Sequence, residues 1–522
     1  VLDPAPRREV DAPRMHVPAR RAFHRSSLVL LLAALACGQK TEPAPADPYA
    51  YTAPPAGSAP AALAPSVWND LAGGQGHLQQ DLMPYWAMSE ARGSPEGNFP
   101  TWRTMTGALT ASTGRKPRML GRQTFGYAVE YLLTGDPEKL ALVRAGNRWL
   151  LDHARDGTVG GWFADLDANG NASGAGAKLT QDTAYTVMGP AAYFFVTRDP
   201  EAEAGVEQTL QLLFDPATYF DANGKRLRDG MNASLTAEAF LNGNGNDIVS
   251  QLDPITAFML LVQPVRTQQS DRDRMLDQLR TLAVAIRDRH FSDGYFWGNV
   301  NALGFWRSFH SDYGHMLKAH WALTQIDKRL ADRPFRDFLV TWTDATLTRA
   351  LDATSGRWKK QPTSPTSDDY GSDWWAFAEA DQLAATLALH DPKWIPVVAD
   401  SSTHWRTEYV DTKNAIREII PGITAAGTPV YNWPATDTAK CNEWKSSFHS
   451  HEHALVLFLF GHYLAGTPAP LYFAFPAAEI EARAKASTPY TFQGKVDGWE
   501  DLGEIPDSGG LHKVRVTFTE LR

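Results

Sequence analysis

Only two cysteines occur in the 522 residues, Cys37 and Cys441. That excludes a disulfide framework and leaves the fold to its hydrophobic core. No block of lysine and arginine is present, and the formal net charge is -9, which argues against nucleic acid as a partner. No Gly-rich phosphate loop of the P-loop type occurs, nor a His-Glu-x-x-His zinc phrase, so the motifs imply no cofactor and no metal. "DLDANG" at 165–170 imitates the start of a calcium loop, but Gly176 stands where the loop needs its twelfth-position Glu, so a turn is expected.

Long apolar runs are also missing. The longest candidate, "RRAFHRSSLVLLLAALAC", places arginines before about ten apolar residues and ends at Cys37. It is too short to span a membrane and reads as a signal peptide within residues 1–37, with Met15 as the expected start. "LAALAC" resembles a bacterial lipoprotein cleavage site, in which Cys37 becomes the lipidated N-terminus. Ala34-Leu35-Ala36 equally suits an ordinary signal peptidase. The expectation is an exported protein, periplasmic or an outer-membrane lipoprotein of a Gram-negative-type bacterium, touching the membrane only through an anchor at Cys37. Residues 38–64 are rich in Pro and Ala and read as a flexible tether. "NAS" at 232–234 is a formal glycosylation acceptor of little meaning in such a chain.

What is abundant is ordinary core and an excess of tryptophan. Hydrophobic residues make up 43% and charged residues 21%, and 17 Trp help bring aromatics to 11%. Trp-rich clefts often hold sugars, because the apolar face of a pyranose packs on an indole ring; core packing is the plainer reading. Length alone predicts two to four domains, but repeat barrels exceed that rule as one.

A turn phrase recurs: "YLLTGDPEKL", "FFVTRDPEAE" and "LALHDPKW". Each follows an aromatic-rich helical run, and Asp then Pro fits an N-cap followed by the first helical position. Polar pairs open the preceding apolar helices at steps of about 58 to 74 residues. They are Arg122-Gln123, Gln181-Asp182, Gln251 with Asp253, His315 with Lys318, Trp375 with Glu379, and His449 with His453. Six apolar helices alternating with amphipathic ones predict an all-α fold, an (α/α)6 barrel over residues 65–466, with the polar pairs converging at one end. Gly/Asp-rich stretches such as "DGTVGGWFADLDANG" and "FSDGYFWGNVNALG" read as loops or short hairpins. Residues 467–522 alternate in a strand-like way around "PDSGG" and read as a small β appendage.

With these phrases in view, the chain resembles the N-acylglucosamine 2-epimerase superfamily, which includes cellobiose 2-epimerases and mannose isomerases. The carrying residues are "RQTFGYAVEYLLTGDPEKL", "LTQDTAYTVMGPAAYFFVTRDP", "YGHMLKAHWAL", "SDWWAFAEA" and "EWKSSFHSHEHALV". The resemblance implies an (α/α)6 barrel and cofactor-independent epimerisation or aldose–ketose isomerisation of a sugar, through two histidines. Gly314-His315 matches the family's Gly-His phrase, and Trp444-Lys445 with Phe448-His449 matches its Trp-Lys…Tyr-His phrase. Three positions depart. Lys318 stands where the family has Glu, and "QLDPITA" places Asp253 and Thr256 where it has His and Glu.

Histidine suits removal of a hydrogen alpha to a carbonyl at neutral pH. His315 and His449 are the expected catalytic pair, interchangeable by direction, with the Lys318 ammonium making His315 the neutral base. Arg122 is expected on the enediolate oxygen. Trp375 would stack, and Glu379, Asp253, Gln181, Asp182 and Gln123 would bind hydroxyls. Glu452 and His453 would support His449 from the same helix, and His451 would face elsewhere. Two alternatives stand beside this. A glycoside hydrolase would use Asp253 with Glu379 or Glu452, and a non-catalytic lipoprotein would only bind sugar.

Overall fold

The computed structural model describes residues 47–522 except 56, 58, 158–159, 174–177, 215–229, 232–246 and 434–437. The expected signal peptide with Cys37, the first part of the tether, Gly176 and the 232–234 sequon lie outside the described residues.

The helices are α1 (78–86), α2 (Pro117–Thr134), α3 (Pro137–Trp149), α4 (Thr180–Thr197), α5 (Pro200–Leu213) and α6 (249–262). They continue with α7 (Gln269–His290), α8 (Tyr313–Asp327), α9 (Arg336–Ala350), α10 (Trp374–Ala388), α11 (Trp394–His404) and α12 (Phe448–Ala465). Each of α2, α4, α6, α8, α10 and α12 packs on the next, and α12 packs back on α2, which closes an inner ring. The helices α3, α5, α7, α9 and α11 each lie against the inner helix they follow, and α1 lies against α12. This is an (α/α)6 barrel.

Burial explains which helices went where. In α4 every residue but Gln181 is buried, and α12 is buried on all sides as far as Gly461. A helix apolar all round must sit inside. In α7 the buried residues are Met275, Leu279, Leu282, Ala283, Ala285, Ile286 and His290, a one-sided stripe at helical spacing that suits an outer helix. Inner helices approach closely where side chains vanish. A Cβ on Gly121 would lie 2.1 Å from the Tyr185 carbonyl oxygen, and one on Gly189 would lie 3.2 Å from the Gly121 Cα.

The Asp-Pro phrases behave as expected twice. Asp136 accepts from Glu138 N at 3.0 Å and Asp199 from Ala202 N at 2.9 Å, each with Pro as the first helical residue. Asp391-Pro392 instead makes a turn, and α11 begins only at Trp394. The Gly/Asp-rich stretches are loops and hairpins, for example Phe291–Ser292 with Tyr295–Phe296. Asp167 Oδ1 accepts from Asn169 N and Asn171 N, so "DLDANG" is a turn.

The tail holds three antiparallel strands, β1 (Ala469–Pro476), β2 (Lys495–Glu504) and β3 (Leu511–Thr519), in the order β1-β3-β2. Pairing begins at Lys495, so most of "YTFQGKV" is not strand. β1, unpredicted, is the most buried of the three and lies against α2 and α4. Tyr131 donates to the Phe473 carbonyl at 3.0 Å. The sheet therefore covers the end of the barrel where the inner helices finish. Part of the stretch expected to be a free tether also lies on the barrel: Tyr49 donates to Asp327 at 2.7 Å, and Tyr463 donates to the Thr52 carbonyl at 2.9 Å.

Candidate active site

Where the inner helices begin, the barrel holds a cavity of about 550 Å³, a size suited to a small ligand. Every inner helix contributes to its wall: Arg122 from α2, Gln181 and Tyr185 from α4, Asp253 from α6, His315 and Lys318 from α8, Trp374 and Trp375 from α10, and His449 from α12. The loops add Phe309, His310, Asp312, Trp433 and Trp444.

His315 is built by its own helix start. Asp312 is the N-cap of α8. One of its carboxylate oxygens accepts His315 N–H at 3.0 Å and the other pairs with His315 Nδ1 at 2.7 Å. That leaves Nε2 for the cavity. Gly314 has a separate reason: a Cβ there would meet the Trp375 ring at 2.4 Å, so glycine lets the indole lie against α8. The Trp375 ring centroid is 4.7 Å from His315 and 6.2 Å from His449, and it flanks both.

His449 is set differently. Its Nδ1 is buried without a hydrogen bond and lies 3.7 Å from Glu379 Oε1. Lys318 fills the base of the cavity. Its Nζ donates to Tyr185 Oη at 3.0 Å and Asp253 Oδ1 at 3.2 Å, and pairs with Glu379 Oε1 at 3.4 Å. Gln181 holds the other Asp253 oxygen at 2.8 Å. Two of the departures from the family pattern, Lys318 and Asp253, thus touch each other as an ion pair.

These neighbours separate the two histidines. Burial works against the charged form of both. At His315 the Asp312 carboxylate, helped by Asp253, outweighs burial and raises the pKa. At His449 burial is joined by the positive charges of Lys318 and Arg122, and the pKa falls well below the usual imidazole value. The expected assignment is therefore reversed. Lys318 bears on His449 rather than making His315 the neutral base, because Asp312 sits closer to His315 than any cation. Asp253 is held below the usual carboxylate range: burial opposes its charge, but Lys318 and Gln181 prevail. Glu379 is raised, chiefly by burial, against the pull of Lys318.

Arg122 stacks its guanidinium on the Tyr185 ring at 3.6 Å and donates to the Trp444 carbonyl at 3.0 Å. Among the described residues no carboxylate pairs with it, and its Nε is buried without a partner. It is a fixed positive charge at the cavity wall. Trp374, Trp433 and Trp444 form a run of edge-on rings, at 5.1 and 6.4 Å between centroids.

Seven of the expected site residues line the cavity: Arg122, Gln181, Asp253, His315, Lys318, Trp375 and His449. The others sit elsewhere. Gln123 turns outward to the Ala91 carbonyl and Tyr127 Oη, both at 2.9 Å. Asp182 binds Arg118 at 2.8 Å, and Arg118 in turn lies 4.1 Å over the Trp444 ring, so Asp182 anchors the wall from behind. Glu379 lies beneath the cavity, reaching it through Lys318 and His449. Glu452 does not bond His449; it meets Gln382 and Tyr490.

His453 pairs with Asp381 at 2.7 Å and packs on Trp405. Four helical residues turn about 40° past a full circle, enough to carry it from the lumen to the α10 side. His451 reaches Glu130 of α2 at 3.0 Å. Asp253 and Glu379 are both engaged by Lys318, so neither stands free as a hydrolase acid.

Sequence reasoning missed Tyr185, Asp312 and the loop aromatics. Asp312 carried a usable signal, an N-cap residue three before a histidine. Of the loop aromatics, Trp444 stood in the quoted Trp-Lys phrase, whereas Phe309 and Trp433 had only the general excess of tryptophan and aromatics behind them.

The N-acylglucosamine 2-epimerase family profile matches residues 97–391. No curated protein sequence matches. Among solved structures, cellobiose 2-epimerase from Spirochaeta thermophila DSM 6192 superposes with a TM-score of 0.64 at 18% identity, covering 78% of this chain and 100% of that one. A sugar epimerase from a ruminal bacterium gives 0.60 at 16% identity, covering 75% and 97%. A D-mannose isomerase gives 0.59 at 16% identity, covering 72% and 95%. At these identities the likeness concerns the fold.

Proposed function

Because the chain belongs to the N-acylglucosamine 2-epimerase family, we propose that it is a cofactor-independent sugar epimerase or aldose–ketose isomerase. The substrate is an aldose or the reducing end of an oligosaccharide in its open-chain form. The observation that carries this reading is the unequal pair of histidines on one cavity: His315 raised by Asp312, His449 lowered by burial and by Lys318 and Arg122.

His449, neutral at physiological pH, removes the hydrogen from C2 through Nε2, and the electron pair moves onto the carbonyl oxygen as an enediolate. Arg122 faces the oxygen that gains charge. If the hydroxyl proton on O2 passes to O1 and His449 returns its own proton to C1, the product is the ketose and the histidines end as they began. If the His315 imidazolium supplies a proton to the other face of C2, the product is the epimer; His449 is left charged, His315 neutral, and exchange with solvent resets both. Trp375, beside both rings, gives a sugar face something to stack on.

The test is deuterium incorporation at C2 when the purified protein is incubated in heavy water with aldoses and disaccharides. Absence of exchange with every common aldose would sink the reading. Hydrolysis is told apart by mass, since it shortens an oligosaccharide and isomerisation does not. From the sequence we also propose export as a lipoprotein anchored at Cys37, checked by fatty-acid labelling that Cys37→Ser abolishes.

A further inference from the structure

A second histidine–carboxylate pair stands on the same cavity. The loop between α7 and α8 carries His310, shortly before His315, and His310 lines the wall. Its Nδ1 pairs with Asp247 Oδ1 at 2.7 Å, as the Nδ1 of His315 pairs with Asp312. The ring lies between two others, with centroids 3.9 Å from Phe309 and 4.6 Å from His315. Phe309 is exposed and His315 mostly buried, so His310 sits on the mouth side of His315.

The loop is built to hold it there. Arg307 and His310 have φ of +62° and +60°, the left-handed region, a strain that residues with side chains carry only where their surroundings impose it. A Cβ on Gly298 would lie 2.0 Å from the Phe309 carbonyl oxygen and 2.7 Å from His310 Cβ, so only glycine admits the loop. Gly298 N–H donates to Ser311 Oγ at 2.8 Å, which lies 2.7 Å from Ser308 Oγ. Asp247 bridges to Asn299, the next residue, so the carboxylate and the loop share one anchor. With the Nδ1 hydrogen given to Asp247, the neutral ring presents a lone pair at Nε2. Among the described residues nothing pairs with that nitrogen.

We propose that His310 is a third catalytic residue, which opens the sugar ring by carrying the proton of the anomeric hydroxyl to the ring oxygen. This rests on the reading of the cavity as an epimerase or isomerase site, because the C2 hydrogen is acidic only beside a free carbonyl. Neutral Nε2 takes the proton from O1, and the O1 electron pair forms the C1 carbonyl. The C1–O5 bond breaks with its pair going to O5, and the imidazolium returns the proton there, so His310 ends as it began. O1 and O5 share C1, so one nitrogen serves both. The other two histidines are committed: His449 must stay unprotonated for the C2 hydrogen, and His315 must keep its proton for the opposite face. Asp247 fixes the His310 ring and its tautomer.

Mutarotation reads this step alone. The aldoses and disaccharides of the exchange test are dissolved as single anomers and followed by polarimetry. The wild type is expected to speed anomer interconversion above the rate in buffer. His310→Gly, which suits the left-handed backbone, lowers that acceleration about 10²- to 10⁴-fold. Free imidazole then restores part of it, in proportion to its unprotonated fraction, once its effect without protein is subtracted. His310→Asn also tolerates the backbone and keeps a donor for Asp247. It is expected to melt as the wild type does and to lose mutarotation as His310→Gly does.

Wild-type mutarotation in either variant overturns the proposal. So does a loss that imidazole does not restore, since a histidine that merely pins the loop to Asp247 gives that result. C2 exchange by a wild type that leaves anomers at the buffer rate refutes the His310 role alone. His310-dependent mutarotation without C2 exchange refutes the epimerase reading and keeps the ring-opening step. Absence of both refutes both.

Discussion

Replacing Asp312 by Asn separates two jobs that one carboxylate performs. Asn is as good an N-cap as Asp, so its oxygen keeps the bond to His315 N–H and α8 keeps its start. The second contact is lost in kind. The amide NH₂ faces His315 Nδ1 and can only donate, which forces the proton to Nε2 and removes the negative charge beside the ring. A hydrogen bond to a charged group contributes about 1.5–3 kcal/mol. At about 1.4 kcal/mol per pH unit, the His315 titration moves about one to two units to acid.

The sign matters for the rate. The acid limb of kcat/KM reports His449 losing its proton, below the usual imidazole value, and the alkaline limb reports His315 losing its own, above it. Asp312→Asn leaves the first limb and brings the second down towards it, so the active window narrows from its alkaline side. NMR titration of the histidine ring protons gives the shift directly, and the pH profile of deuterium exchange gives its consequence. A His315 titration and an alkaline limb both unmoved in a well-folded variant would refute the reasoning.

His449→Asn removes the base and is expected to lower exchange about 10²- to 10⁴-fold without lowering the melting temperature, since a buried unsatisfied ring nitrogen goes with it; retained exchange would identify another base. Lys318→Met strands Asp253 and Glu379 as buried carboxylates and should destabilise the fold by about 3–5 kcal/mol, read from denaturant unfolding; an unchanged midpoint would mean both acids are neutral in the native state. Gly314→Ala drives a methyl into the Trp375 ring, so KM for sugar should rise and the Trp fluorescence change, with activity intact if the indole is not part of the sugar site. In mixed isotopes, proton return by His449 alone should leave some C2 deuterium of the substrate on C1 of the ketose, whereas every epimer molecule should carry a solvent-derived proton.

The barrel was legible because its signal is long-range and repeated. Six apolar helices at regular steps fix the inner ring whatever their exact ends, and the cavity follows from where they begin. Individual side-chain directions were less legible. Gln123 adjoins Arg122 in sequence but points 100° away, to the outer layer. His453 was expected beside His449, yet Asp381 of α10 claims it. Asp182 reads as a sugar contact only until Arg118, 64 residues earlier, is placed against it. β1 escaped notice because "APLYFAFP" lacks the polar alternation of a half-exposed strand. It is buried on both faces, with α2 and α4 packed against it.

The reversal at the histidines shows why spacing alone misled about charge. Lys318 follows His315 by three residues, so the sequence places an ammonium on the same helical face. In the structure that ammonium is committed to Asp253, Tyr185 and Glu379 at the base of the barrel. Its field lowers both imidazoles and prevails only at the one that lacks a compensating anion in contact. His315 has one in hydrogen-bond contact, and His449 has only Glu379 at 3.7 Å, itself shared with Lys318. The Lys318–Asp253 pair, which stands where the family has acid and histidine, thus does more than conserve net charge. It sets an ammonium whose charge lowers His449 beside a carboxylate that Gln181 and Tyr185 of α4 hold. The directions differ, His449 pushed towards its neutral form and His315 towards its charged form, and under the proposed reaction that gives the two histidines different roles rather than interchangeable ones.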